Sequence, residues 1–129
     1  MADRKLAHRE PIPPDTPALR AALARLRESK IGGLTVLDLR GRCSYTDFFV
    51  IGHGESVRQV QALADDVERA VREATGRAPA VEGYEAGEWV LIDCGDVIVH
   101  VFSERARNFY RIESLWYDAP VIDPEAAAR

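Results

Sequence analysis

Four aspartates, Asp38, Asp47, Asp93 and Asp96, border apolar runs in this chain. Clustered carboxylates at strand ends can hold Mg²⁺ for nucleotidyl transfer. That chemistry asks for two acids on alternate residues of one strand, so that both point at the metal. No D-x-D or D-x-E falls in an expected strand, and Asp93 and Asp96 instead flank a turn. Acceptance of backbone N–H groups in turns is the more economical role for such residues. His100 lies within an apolar run, on the same face as Ile98 and Phe102. No second histidine stands at ligand spacing, so a hydrogen-bonded structural histidine is expected. Nucleophilic catalysis has no better footing. There is no G-x-S-x-G, and neither Cys43 nor Cys94 has a histidine close in sequence. Gly52-His53-Gly54 precedes a helix but lacks the glycine pattern and lysine of a phosphate-binding loop, and is expected to end a strand. These residues imply no catalytic set, metal site or cofactor, and the chain is not expected to be an enzyme.

Trp89 suggests binding instead. By alternation Trp89, Leu91 and Asp93 share one sheet face, and Val90 and Ile92 the other. If a helix covers the first face, Trp89 is core. If the face is partly open, it offers a large aromatic, an aliphatic neighbour and an acid, a combination suited to an interface anchor. Arg105, Arg107 and Arg111 read as a solvated helix face.

The elements that position these residues follow from pattern. Thr16-Pro17 opens a helix with its buried stripe on Leu19, Ala22, Leu23 and Leu26, and Gly32-Gly33 is expected to end it. Strands are expected at Leu34–Leu39 and Asp47–Ile51, joined by a hairpin loop. Ser56 with Gln59 three residues on has capping-box spacing, and the apolar stripe from Val57 to Ala74 is stopped by Gly76. Pro79 to Gly83 suits a short edge strand. Trp89–Ile92 and Val97–Phe102 flank Asp93-Cys94-Gly95-Asp96 as two antiparallel strands of a hairpin, apolar enough for both faces to be covered. Ser103 then caps a helix whose stripe is Phe109, Ile112 and Trp116, stopped by Pro120. The order α-β-β-α-β-β-β-α describes one α+β domain, a mixed sheet of about five strands with helices packed on it. Residues 1–14 are expected as a disordered tail, 15–121 as the domain and 122–129 as a frayed C-terminal tail.

Composition agrees with a globular protein. The 129 residues are 47% hydrophobic and 29% charged, with a formal charge of −4. That balance argues against wrapping nucleic acid and suits a basic partner. No apolar run reaches the length of a signal peptide or membrane span, and two unpaired cysteines fit a reducing compartment, so a cytoplasmic location without membrane contact is expected.

Two stretches together resemble a known family. Asp38-Leu39-Arg40-Gly41, Thr46 to Ile51 and Gly54 to Val60 look like its N-terminal signature. Glu88 to Asp93, Gly95 to Val101, Phe109-Tyr110 and Leu115-Trp116 look like its C-terminal one. This is the Iojap-related ribosomal silencing factor family. The resemblance runs from about Thr16 to Val121, with departures at Cys43, Tyr45 and Cys94. It implies a nucleotidyltransferase-like fold without the acid pair, and a translational repressor that binds the large ribosomal subunit through ribosomal protein L-fourteen and blocks subunit joining. It also implies a homodimer, no sequence-specific nucleic-acid binding, and for organelle relatives a role in large-subunit assembly. Carried onto this chain, the partner site is Trp89, Leu91 and Asp93, with Asp96 and His100 shaping the hairpin and Arg105 and Tyr110 on the neighbouring helix. The alternatives are a large-subunit assembly factor and a metal-dependent nucleotidyltransferase.

Overall fold

The computed structural model describes residues 16–128; the expected N-terminal tail lies outside them. Helix α1 (Pro17–Arg27) starts with proline at its first turn and buries Leu19, Leu23 and Leu26. It ends at Arg27, short of the glycines expected to stop it. The Ser29 hydroxyl donates to the Leu26 carbonyl (2.6 Å) and turns the chain, which leaves Gly32-Gly33 to open β1 (Gly32–Asp38). The antiparallel partner β2 (Phe48–Gly54) runs through Gly52-His53-Gly54, where a break was expected. Those three residues pair with Val101, Phe102 and Ser103, so ladder hydrogen bonds outweigh the poor strand preference of glycine.

Helix α2 (Val57–Thr75) matches its sequence signals. Ser56 Oγ accepts from the Gln59 N–H (3.0 Å), Gln59 Oε1 accepts from the Glu55 N–H (2.6 Å), and Gly76 caps the far end in the left-handed conformation. A short exposed edge strand, β3 (Ala80–Glu82), leads to the hairpin of β4 (Trp89–Asp93) and β5 (Val97–Ser103). Ser103 caps α3 (Glu104–Tyr110) by accepting from the Ala106 N–H (3.1 Å).

The expected last helix is broken. Arg111 adopts φ 48°, ψ 51°, and a separate turn, α4 (Ile112–Leu115), follows. Ile112 turns inward while Phe109 faces solvent, so the stripe read from the sequence is divided. Nor does the chain fray after Val121. It forms β6 (Val121–Ile122) against β1, then α5 (Pro124–Ala128), whose Ala127 is fully buried beside α1.

The six strands lie in the order β3-β4-β5-β2-β1-β6. All neighbours are antiparallel except β2 and β5, which makes a mixed sheet in one α+β domain. Helices α1, α2 and α5 cover one face over Val36, Val50, Val90, Val99 and Val101. On the other face, among the described residues, only α3, α4 and the segment after them cover Leu37, Phe49, Ile51, Ile98 and Phe102. No helix among the described residues is long and apolar enough to cross a membrane. Ser56→Ala should lower the unfolding free energy by about 1 kcal/mol, seen as a lower denaturant midpoint at unchanged slope.

Candidate partner-binding face

The thinly covered face of β4 and β5 carries the residues singled out above. Trp89 pairs with Phe102 and Leu91 with His100 across the hairpin, so the alternation placing Trp89 and Leu91 on one face holds. The indole of Trp89 is half-buried, 5.0 Å from the ring of Phe102 and 4.9 Å from that of Tyr110. It is therefore neither sealed core nor free surface. Its Nε1–H donates to His100 Nδ1 (3.1 Å), so the polar edge is satisfied internally and the ring cannot swing freely.

His100 is a buried, hydrogen-bonded histidine, only 3% exposed. Indole N–H is a donor only, so Nδ1 accepts and the neutral ring carries its proton on Nε2. Nε2 has no hydrogen-bond partner among the described residues. The ring stands edge-on to Phe49 at 4.4 Å, and Phe49 in turn meets Trp116 at 6.0 Å. Tyr110, Trp89, His100, Phe49 and Trp116 thus form a continuous aromatic band across β4, β5 and β2.

Beside this band are large apolar residues that sequence reasoning did not place outside. Phe109 is 77% exposed, and Leu115 and Tyr117 are each 74% exposed, while Tyr110, at the end of the band, is half exposed as a partner-site residue would be. The available signal was adjacency. Neighbouring helical residues point about 100° apart, so no single buried stripe can take both Phe109 and Tyr110, or all of Leu115, Trp116 and Tyr117.

The other expected residues lie elsewhere or do different work. Asp93 ends β4, about 13 Å along the strand from Trp89, and its Oδ1 accepts from the Gly95 N–H (2.9 Å). Asp96 sits on the same turn, where its carbonyl accepts from the N–H groups of Asp47 and Phe48. Both aspartates belong to the hairpin tip, beside a cavity of about 620 Å³ that is also lined by Thr75, Arg77 and Cys94. Arg105 is exposed, 4.0 Å from Glu88. Arg107, expected on a solvated face, is instead tucked in and paired with Glu113 (2.9 Å).

The strand-end aspartates do not converge. Buried Asp38 takes Arg40 through Nε (2.9 Å) and Nη2 (2.7 Å), while Asp47 is exposed. Among the described residues no group of three or more histidine, cysteine, aspartate or glutamate side chains is arranged to hold a metal ion. Cys43 and Cys94 are both free. Burial, with Asp93 and Asp96 nearby, pushes the Cys94 thiol up to about 12, which keeps it a protonated thiol.

Burial lowers the His100 pKa from 6.5 to about 4. The fold therefore holds the neutral ring, while the unfolded chain takes up a proton below about 6.5. The stability this contributes is complete above pH 6.5 and is lost as the pH falls towards 4. His100→Leu should flatten that part of the pH dependence, measured as unfolding free energy at pH 7.5, 6, 5 and 4 beside wild type.

The match to known proteins is broad. The family model described as "Ribosomal silencing factor during starvation" matches residues 13–129. The ribosomal silencing factor RsfS of Halalkalibacterium halodurans is 40% identical over 107 residues, covering 83% of this chain and 92% of that protein. The RsfS of Bacillus subtilis is 38% identical over 105 residues, covering 81% and 89%. A crystal structure of a Chromobacterium violaceum protein superposes with a TM-score of 0.74 at 38% identity, covering 78% of this chain and 83% of that one. A family model spanning the whole described domain, with the same fold at this level of identity, establishes that the chain belongs to the ribosomal silencing factor family.

Proposed function

We propose that this protein binds the large ribosomal subunit through ribosomal protein L-fourteen, on the surface that meets the small subunit, and represses translation by preventing subunit joining. The observation that carries this reading is the half-buried Trp89, held by His100 and Tyr110 within an aromatic band that has the exposed Phe109 against Tyr110 at one end and the exposed Leu115 next to Trp116 at the other. A rigid aromatic loses little conformational freedom on binding, so it is an efficient anchor. The formal charge of −4 favours encounter with a basic ribosomal protein. Repression then needs no bond to be made or broken. An interface of about 1,600 Å² holds the protein in place, and its volume excludes the small subunit. The same reading places it in the cytoplasm, as a homodimer when free.

Co-sedimentation with separated ribosomal subunits, followed by a joining assay, tests the proposal. Binding to the large subunit alone, with joining reduced in proportion to occupancy, is expected. Binding that leaves joining unchanged would point to large-subunit assembly instead, and no binding would refute the reading. Trp89→Ala should weaken binding about 30-fold, a hot-spot loss of about 2 kcal/mol, while the circular dichroism spectrum stays that of the wild type.

A further inference from the structure

The break at Arg111 decides which side chains the last helical segment presents, and one buried guanidinium spans it. Arg107 Nε donates to Glu113 Oε1 (3.2 Å), and Nη2 donates to Glu113 Oε2 (2.9 Å) and Thr35 Oγ1 (3.3 Å). Nη1 donates to the Gly32 carbonyl (3.3 Å) and to His53 Nδ1 (3.0 Å), which must accept because a guanidinium has no lone pair to offer. All five N–H donors are therefore used, and one side chain joins α3, α4, β1 and β2.

The sheet makes room for it. The register of β1 against β2 slips between Gly32 and Thr35, where Arg107 takes the Gly32 carbonyl. Gly33 lies there at φ 57°, and a Cβ on it would stand 2.5 Å from Arg107 Nη1. The glycines expected to end α1 thus form the seat of an arginine 74 residues further on in the chain than Gly33.

The pairing also requires the break. In an unbroken helix, residues six apart lie about 9 Å apart along the axis and about 120° apart around it, too far for a two-point carboxylate contact. Arg107 and Glu113 meet only because the chain turns at Arg111, and that turn sends Ile112 inward while leaving Phe109 and Leu115 outside.

We infer that Arg107 is a positioning residue for the docking face: its bridge to Glu113, β1 and β2 holds the broken α3–α4 segment in the form that presents Phe109 and Leu115 at the two ends of the aromatic band around Trp89. This inference rests on the binding role proposed above. Arg107 itself is covered, and its effect on binding passes through the residues it places.

The test is a cycle of variants titrated against purified large ribosomal subunits, with wild-type protein read first. Arg107→Ala should weaken binding about tenfold or more in the wild-type background. It should weaken binding by less than about twofold when Phe109 and Leu115 are already alanine, because nothing remains for it to position. Glu113→Ala keeps Arg107 and its seat on β1 and β2 but cuts the tie to α4. It should show the same non-additivity, and it carries the test if Arg107→Ala does not fold. Amide hydrogen exchange at residues 112–116 should be faster in both variants without any ribosome present. Equal losses in both backgrounds, no loss in either, or unchanged exchange would overturn the positioning role while leaving the binding reading intact. Failure of the wild type to bind would overturn both.

Discussion

The parallel pairing of β2 with β5 joins the two halves of this molecule, and seven residue pairs run along it, from Phe48–Val97 to Gly54–Ser103. A parallel pair needs a long crossover, here supplied by α2, β3 and β4. It also needs cover on both faces, and β5 is buried from Val97 through Phe102 and apolar there apart from the single His100. The two covers are unequal. Three helices close one face, whereas the other relies on seven residues of α3, four of α4 and the segment that follows. Among the described residues so short a cover leaves Trp89 half open.

An unsealed aromatic surface is a cost in the free protein, at about 25 cal/mol for each Å² of apolar area left in water. The structure limits the consequences by holding that surface stiff. Trp89 is fixed through His100 and Tyr110, and the broken helix is fixed through Arg107 and Glu113. Stiffness matters for binding because side chains already in place lose little entropy when a partner covers them. His100 serves this arrangement as a neutral acceptor, and among the described residues its Nε2 has no hydrogen-bond partner.

Much of the fold was legible because it depends on local signals. Ser56, Gln59 and Gly76 bracket α2, Ser103 caps α3, and the two β-branched runs around Asp93 to Asp96 form the hairpin. What was not legible depends on partners distant in sequence. Glycine at 52 and 54 argued for a break, and pairing with β5 overrode it. Phe109, Ile112 and Trp116 have the spacing of one stripe, yet an arginine seated on β1 supports a turn in the middle of it. Residues 122–128 looked like a tail, yet β6 pairs with β1 and α5 packs beside α1. For the candidate site, alternation was enough to put Trp89 and Leu91 on one face of β4, and His100 with Ile98 and Phe102 on one face of β5. It could not separate Asp93 and Asp96, which belong to the hairpin tip, or bring in Phe109 and Leu115 from beyond the helix break.

Hydroxyl-radical footprinting of the protein, free and bound to purified large subunits, tests without altering a residue whether the face that carries Trp89, Phe109 and Leu115 is the one that meets the ribosome. Labelling of Phe109, Tyr110 and Leu115 should fall sharply on binding, while Val81 of β3, 37% exposed and paired with Ile92 on the helix-covered face, is labelled as before. Protection of Val81 with Phe109 and Leu115 still fully reactive would contradict the docking face.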